Sequence, residues 1–219
     1  MRNSNTPIAV EGYPFICGFL AVAVVMALLG HFLHPAFLAP AILFLLLTVF
    51  TVFFFRNPER DTPTDENAVV APADGVVIFS GRVTEPHTSV EMEKLSIFMS
   101  VFNVHVNRAP ITGKVVDSFY TKGKFYDVRD ERASFENEQQ GLVVEPSPGQ
   151  RLVVVQVAGL IARRIVCYAK VGDLLTRGRR YGLIRFGSRL DIYLPVGTEI
   201  KAAMGQKTVA GETVLGILP

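Results

Sequence analysis

The chain has no tryptophan, only two cysteines and four histidines in 219 residues, and a formal charge of just +2. Two cysteines cannot build a disulfide framework, and Cys17 and Cys167 lie at no metal-ligand spacing. Both read as inert, buried thiols. So small a net charge, with no lysine/arginine cluster interleaved with aromatics, argues against nucleic acid as a partner. Charge is missing altogether from two long stretches, Tyr13 to Leu33 and Ala36 to Phe55. Also missing is a small-residue cleavage site of the signal-peptide kind before the polar part of the chain.

What is present is distributed unevenly. Apolar residues make up 49% of the chain and the mean hydropathy is +0.33, but the excess sits before Arg56. Each uncharged stretch has about twenty residues, enough at 1.5 Å per residue to cross about 30 Å of hydrocarbon. The break between them, Gly30-His31-Phe32-Leu33-His34-Pro35, carries a helix-stopping glycine and proline. Its two histidines, three apart, read as interfacial side chains and not as metal ligands. Residues 1–55 are therefore expected to form a two-helix apolar membrane hairpin, with a hairpin dipping into one leaflet as the alternative. Arg2 flanks one end, Arg56 and Arg60 the other, and the turn has no basic residue. That asymmetry places both termini, and the polar domain, on the cytoplasmic face of the cell membrane.

Residues 56–66 read as a proline-punctuated linker, and residues 67–219 as a β-rich domain. Candidate strands are Val69-Val70, Gly75 to Ser80, Ser96 to Ser100, Gly113 to Phe119, Gly141 to Glu145 and Arg151 to Val157. Arg164 to Ala169, Tyr181 to Phe186, Arg189 to Tyr193, Glu199 to Ala202 and Val214 to Ile217 complete the set. A short helix is expected near Arg132 to Gln140. The fold class is mainly β, a sandwich- or barrel-like domain behind the helical hairpin. Glycine cadences at Asp74-Gly75, Thr112-Gly113 and Ala210-Gly211 resemble lipoyl-carrier hairpins, but no lysine has a carrier setting, so they read as turns.

The stretch Arg185-Phe186-Gly187-Ser188-Arg189 joins two of these strands. A serine after glycine can attack the preceding carbonyl if a base takes its proton and donors meet the oxyanion. Glycine removes the Cβ that would obstruct attack and tolerates a strained backbone. A Gly-Ser pair is common, and its ordinary reading is a turn serine. It is not a hydrolase elbow, because Phe186 and Leu190 stand where glycines are needed. His105 and Asp74 could complete a serine–base–carboxylate set, although each has an ordinary structural reading, His105 as a buried histidine and Asp74 as a turn aspartate. A membrane-anchored adaptor, which would need a long helical hairpin inside the β domain, and a serine protease remain open on these residues.

Several spaced blocks extend the pattern. They are Phe53-Phe54-Phe55-Arg56-Asn57-Pro58-Glu59-Arg60, Val70-Ala71-Pro72-Ala73-Asp74-Gly75, Asn103-Val104-His105-Val106-Asn107-Arg108-Ala109-Pro110, Glu136-Asn137-Glu138, Ala162-Arg163-Arg164-Ile165 and Gly182 to Arg189. In this order, over most of the chain, they resemble the short-form phosphatidylserine decarboxylase proenzymes. The resemblance implies a zymogen cut between Gly187 and Ser188 into a β chain (1–187) and an α chain (188–219). Ser188 becomes a pyruvoyl group, with no metal and no pyridoxal phosphate. That ketone forms a Schiff base with the amine of phosphatidylserine in the membrane and yields phosphatidylethanolamine and CO2. The mature form is an αβ heterodimer, alone or in a higher oligomer. Asp74 and His105 are the implied partners of Ser188, and Arg108, Arg163, Arg164 and Arg189 the headgroup candidates. Longer-form members carry a second histidine three positions after the first, where this chain has Arg108.

Overall fold

Alternating valines and leucines decide the centre of the molecule. Along Leu142-Val143-Val144 and Leu152-Val153-Val154-Val155, side chains point alternately to the two faces of an extended chain. Leu142, Val144, Leu152 and Val154 enter one core cluster, while Val143, Val153 and Val155 enter another on the opposite face. A sheet buried on both faces follows.

The computed structural model describes residues 6–130, 132–160, 164–185 and 187–219. Its elements in chain order are the helices α1 (Tyr13–Phe32) and α2 (Leu38–Phe54), then strands β1 (Ala68–Val70), β2 (Gly75–Thr84), β3 (Glu91–Met99), β4 (Val106–Arg108) and β5 (Gly113–Thr121). A short helix α3 (Ala133–Glu136) precedes β6 (Gln139–Ser147), β7 (Gln150–Ala158), β8 (Ile165–Cys167), β9 (Leu174–Leu175) and β10 (Arg180–Ile184). The last are β11 (Ser188–Pro195), β12 (Glu199–Ile200), β13 (Lys207–Thr208) and β14 (Val214–Ile217). The protein is mainly β, with two apolar helices at its N-terminal end, as the pattern predicts.

An eight-stranded antiparallel sheet, in the order β13-β2-β3-β11-β7-β6-β5-β9, curls into a half-barrel. Two three-stranded sheets, β1-β14-β12 and β4-β10-β8, contribute Val69, Tyr181 and Leu215 to the core that fills its concave side. The principal differences from the predicted strands are β4, β9, β13 and the first half of β3. Three of them have only two or three residues, too short for a period to register. In β3, Glu91, Glu93 and Lys94 mask the alternation because Glu93 pairs with Arg82 across the ladder (2.8 Å) and Lys94 is buried. The helix expected to Gln140 stops at Glu136, and β6 starts three residues on. Among the described residues, α3 is the β domain's only α-helix, so the long helical hairpin of an adaptor is not there. Burial pushes the Cys167 thiol up to about 11, in keeping with an inert role.

The chain divides into two compact units, Arg2–Pro58 and Glu59–Pro219. In the first, α1 and α2 pack as a hairpin. A Cβ on Gly30 would lie 2.6 Å from Leu38, so glycine allows the close approach at the turn. His34 Nδ1 accepts a hydrogen bond from Ala36 N, capping the short turn into α2. Thr48 and Thr51 donate to the carbonyls of Phe44 and Leu47, which satisfies their hydroxyls inside an apolar helix. At the open end, Ala9 N donates to Phe55 O and Asn57 Nδ2 to Thr6 O, tying the start of α1 to the end of α2. In the second unit the polar stretch after Pro58 is bonded to the β domain. Glu59 accepts from Arg180, and Arg177 donates to the carbonyls of Pro63, Asp65 and Ala68.

Both hairpin helices are long and apolar enough to cross a membrane, and only 11% and 22% of their most apolar windows are buried. Leu20, Val25, Leu28, Leu43, Leu46 and Val49 are among the large side chains left exposed. Burial of such surface, at about 25 cal/mol per Å², dominates any attraction between a few arginines and lipid. The full chain should therefore stay with membranes through a high-salt wash and leave only with detergent. Release by salt alone would show that charge, not the hairpin, holds it.

Candidate active site

Two chain crossings create the site. β3 of the large sheet is followed, after residues 100–105, by β4 of a small sheet, and β10 of that small sheet is followed in the chain by β11 of the large one. Their ends are paired, Met99 with Ser188 and Val106 with Leu183, so the two crossings lie side by side. His105 closes the first crossing and Gly187-Ser188 ends the second. Ile184 N donates to His105 O at 3.4 Å, a direct tie between them.

Ser188 is the first residue of β11 and has no exposed surface. It pairs with Met99 on one edge and Ala158 on the other. Its Oγ is 3.4 Å from Met99 Sδ, on the face that Leu190, Ile192 and Leu194 share with the main core. Gly187 has φ +65°, the left-handed region that glycine enters at little cost. His105 is 2% exposed and its Nδ1 lies 2.9 Å from Asn103 O. A carbonyl only accepts, so Nδ1 carries the proton and Nε2 of the neutral ring is the basic nitrogen. Asn103 is fixed in turn, its Oδ1 accepting from Ser100 N and Oγ at 2.9 and 2.8 Å.

Asp74 does not meet His105. Its carboxylate accepts from Arg60 Nη2 at 2.9 Å and from Ala210 N at 2.8 Å. Val76 pairs with Phe98, which puts Asp74 just beyond the start of β2, at the level where β3 ends. From β2 across β3 to β11 is two strand spacings, roughly 10 Å. The carboxylate and the serine thus share one end of the sheet without touching. Arg108 stands closer to Asp74 than sequence suggests. It is 4% exposed, donates to Gly178 O at 2.8 Å, and is brought down to about 10 by burial and by Arg180 and Arg60, with Glu59 and Asp74 pulling the other way.

The four headgroup candidates separate. Arg163 lies outside the described residues. Arg164 is exposed, and its carbonyl accepts from Arg185 N at 3.2 Å, beside the second crossing. Arg189 is 3% exposed and points to the opposite face from Ser188. It donates to Val128 O (2.7 Å) and Ser134 Oγ (2.7 Å), and pairs with Asp191 (2.8 Å). Lys94 meets the same carboxylate at 3.1 Å and the same hydroxyl at 2.9 Å. The reason is the period of two, which sends residue 189 to the back of the strand whose front carries residue 188.

Two site residues escaped the sequence reading. Asn107, with no exposed surface, has Nδ2 at 3.8 Å from Met99 Sδ, and its Oδ1 accepts from Gln156 Nε2 at 2.8 Å. Both amides therefore line the core beside Ser188. The signal was there in Gln156, a lone polar residue inside Leu152-Val153-Val154-Val155-Gln156-Val157.

A profile of the phosphatidylserine decarboxylase family matches residues 47–216. The chain belongs to the phosphatidylserine decarboxylase family. Phosphatidylserine decarboxylase proenzymes of Citrifermentans bemidjiense and of Geobacter sp. strain M21 are each 80% identical to it over 219 residues, all of both chains. That of Geobacter metallireducens is 69% identical over the same span. In this decarboxylase-family fold the block Asn103 to Pro110 covers the end of the first crossing and β4, and the block Gly182 to Arg189 links β10 to β11.

The back of β11 generates a prediction. Burial alone would raise the Asp191 carboxyl, but Arg189 and Lys94 outweigh it and hold it below 3.8. Its stabilisation is therefore complete above about pH 4 and is lost as pH falls through the lower folded value. Asp191→Asn leaves two buried cations facing an amide and should cost about 3–5 kcal/mol, read from urea unfolding of the detergent-solubilised chain. A loss below about 1 kcal/mol would mean that the cations rearrange to solvent.

Proposed function

We propose that this protein is a membrane-bound phosphatidylserine decarboxylase that makes its own pyruvoyl group by cleavage between Gly187 and Ser188. The observation that carries the reading is a fully buried serine opening β11 behind a left-handed glycine, in a chain of this family. A buried Ser188 is shielded from water, so its hydroxyl attacks a neighbouring carbonyl in preference to serving as a hydrolytic nucleophile for outside substrates.

In this reading His105 Nε2 takes the Oγ proton as Oγ bonds to the Gly187 carbonyl carbon. The Gly187–Ser188 C–N bond then breaks and the proton passes to the Ser188 nitrogen, leaving an ester. Loss of the Ser188 Cα proton and departure of the Gly187 carboxylate give a dehydroalanine. One water then replaces its nitrogen, released as ammonia, and no oxidant is consumed. The surroundings fit such a group: the new terminus stays in a strand paired on both edges, with Asn107 and Gln156 beside it. A pyruvoyl group formed there would supply an electron sink conjugated to the substrate amine for the pair released with CO2.

The residues of this chain then divide the remaining work. His105, held by Asn103 O, is the proton carrier in both stages. Asp74, neutralised by Arg60, contributes field at the end of the sheet and partly offsets Arg108, which occupies the second-histidine position of longer forms. Arg164, exposed beside the scissile crossing, is the described arginine best placed for the lipid phosphate or carboxylate; Arg163 is proposed with it. Arg108 and Arg189, buried on protein acceptors, are assigned to holding the site together. The apolar hairpin with basic flanks supports a cytoplasmic-face domain that meets its lipid at the membrane.

Denaturing electrophoresis and intact mass should find two chains, about 21 and 3.5 kDa in proportion to 24.1 kDa for the whole, the small one resistant to Edman degradation. Ser188→Ala should stay a single chain without activity. A fully active single chain carrying free Ser188 would sink the reading. Borohydride with substrate should abolish turnover of the mature form. An enzyme indifferent to that reagent has no carbonyl at its centre.

A further inference from the structure

Residue 159 has no side chain, and the scissile bond explains why. A Cβ built on Gly159 would stand 2.5 Å from Gly187 O, 2.9 Å from Val128 Cγ1 and 3.4 Å from Gly187 C. The oxygen is nearer than its carbon by most of the ~1.23 Å carbonyl length, so the Gly187 C=O points at Gly159. Contacts below 3.0 Å against backbone cannot be relieved by rotating a side chain.

Both neighbours are pinned from behind. Asn137, with no exposed surface, donates through Nδ2 to Ala158 O at 2.8 Å and to Tyr126 O at 2.9 Å, fixing the residue just before Gly159. Arg189 Nη1 holds Val128 O at 2.7 Å, so the Val128 wall stays in place. Gly187 itself, at φ +65°, is a hinge that would turn first under pressure.

We infer that Gly159 is a positioning residue for self-cleavage: its bare backbone is the seat that holds the Gly187 carbonyl oxygen where negative charge develops as Ser188 Oγ bonds to the carbon. This rests on cleavage at Gly187–Ser188. The proton and bond changes are those given above, and Gly159 takes no part in them. A methyl at this position must displace the oxygen by close to 1 Å to restore ordinary contact, and a misplacement of that size costs about a hundredfold in rate.

The experiment follows conversion of the newly synthesised full chain into two chains, with turnover measured per pyruvoyl group. Gly159→Ala should be cleaved about a hundredfold more slowly than the wild type, yet the fraction that matures should decarboxylate with kcat within a few-fold of normal, because the cut has freed the carbonyl from Ser188. A purely structural lesion would lower both. Gly81→Ala, whose methyl meets only Phe79 at 3.5 Å, should be cleaved normally. Adding Val128→Ala to Gly159→Ala should speed cleavage by opening one wall. If Gly159→Ala proves insoluble, the double variant is compared with Val128→Ala alone and should still be cleaved more slowly. Normal cleavage of Gly159→Ala, or of the double variant in that comparison, overturns the inference. A wild-type chain that never divides overturns the cleavage reading instead.

Discussion

Everything at the site depends on β11 being clamped along both edges. It pairs with β3 over eight residues from Ser188 to Pro195 and with β7 from Ser188 to Tyr193. A one-residue slip would exchange its two faces, sending Ser188 to the back and Arg189 into the apolar core. The core residues Leu190, Ile192 and Leu194 resist that slip from the front. Asp191, locked between Lys94 and Arg189, resists it from behind. A buried ion cluster contributes little net stability after desolvation, and its value here is register.

The fixed register also sets what the histidine can do. Because Met99 lies opposite Ser188, the crossing that begins at Ser100 has to leave the sheet beside Gly187, and it delivers His105 after five residues. The Asn103 turn then chooses the tautomer. In a hydrolase triad a carboxylate performs that task and stabilises the imidazolium that forms. A carbonyl orients the ring equally well but offers no full negative charge.

How far the sequence foretold this differs from element to element. Valine alternation in β6 and β7 and the uncharged run of the hairpin were plain, because each is a local pattern repeated many times. Short strands such as β4 and β9 were invisible, since tertiary pairing and not periodicity makes them extended. Ser188, His105 and Asp74 were picked out by motif blocks, and the structure brings the first two to adjacent crossings. Asp74 bonding to Arg60 could not be read, because nothing local says which cation, fourteen residues away, will reach a given carboxylate. Arg189, a headgroup candidate in the sequence, is buried on the opposite face from Ser188 because a strand's period of two sends successive side chains to opposite faces. Gln156 shows the better rule, that a polar residue interrupting an apolar strand has a partner inside.

The same strand pairing answers a difficulty that cleavage would raise. The segment after Gly187 is only 32 residues, too short to hold a core of its own, and the cut removes the covalent link that keeps it at high effective concentration. Yet β11, β13 and β14 each pair with strands from before the cut, namely β3 and β7, β2, and β1. Leu190, Ile192, Leu194 and Leu215 are fully buried with residues of the longer segment. Burying a leucine or isoleucine contributes about 1.5–3 kcal/mol, so these four alone give roughly 6–12 kcal/mol, comparable with the association entropy to be offset. With the ladder hydrogen bonds added, two chains divided there would have no route apart short of unfolding the sheet. A cut between Gly187 and Ser188, at the mouth of the central strand, would therefore break a link whose mechanical role the sheet already performs.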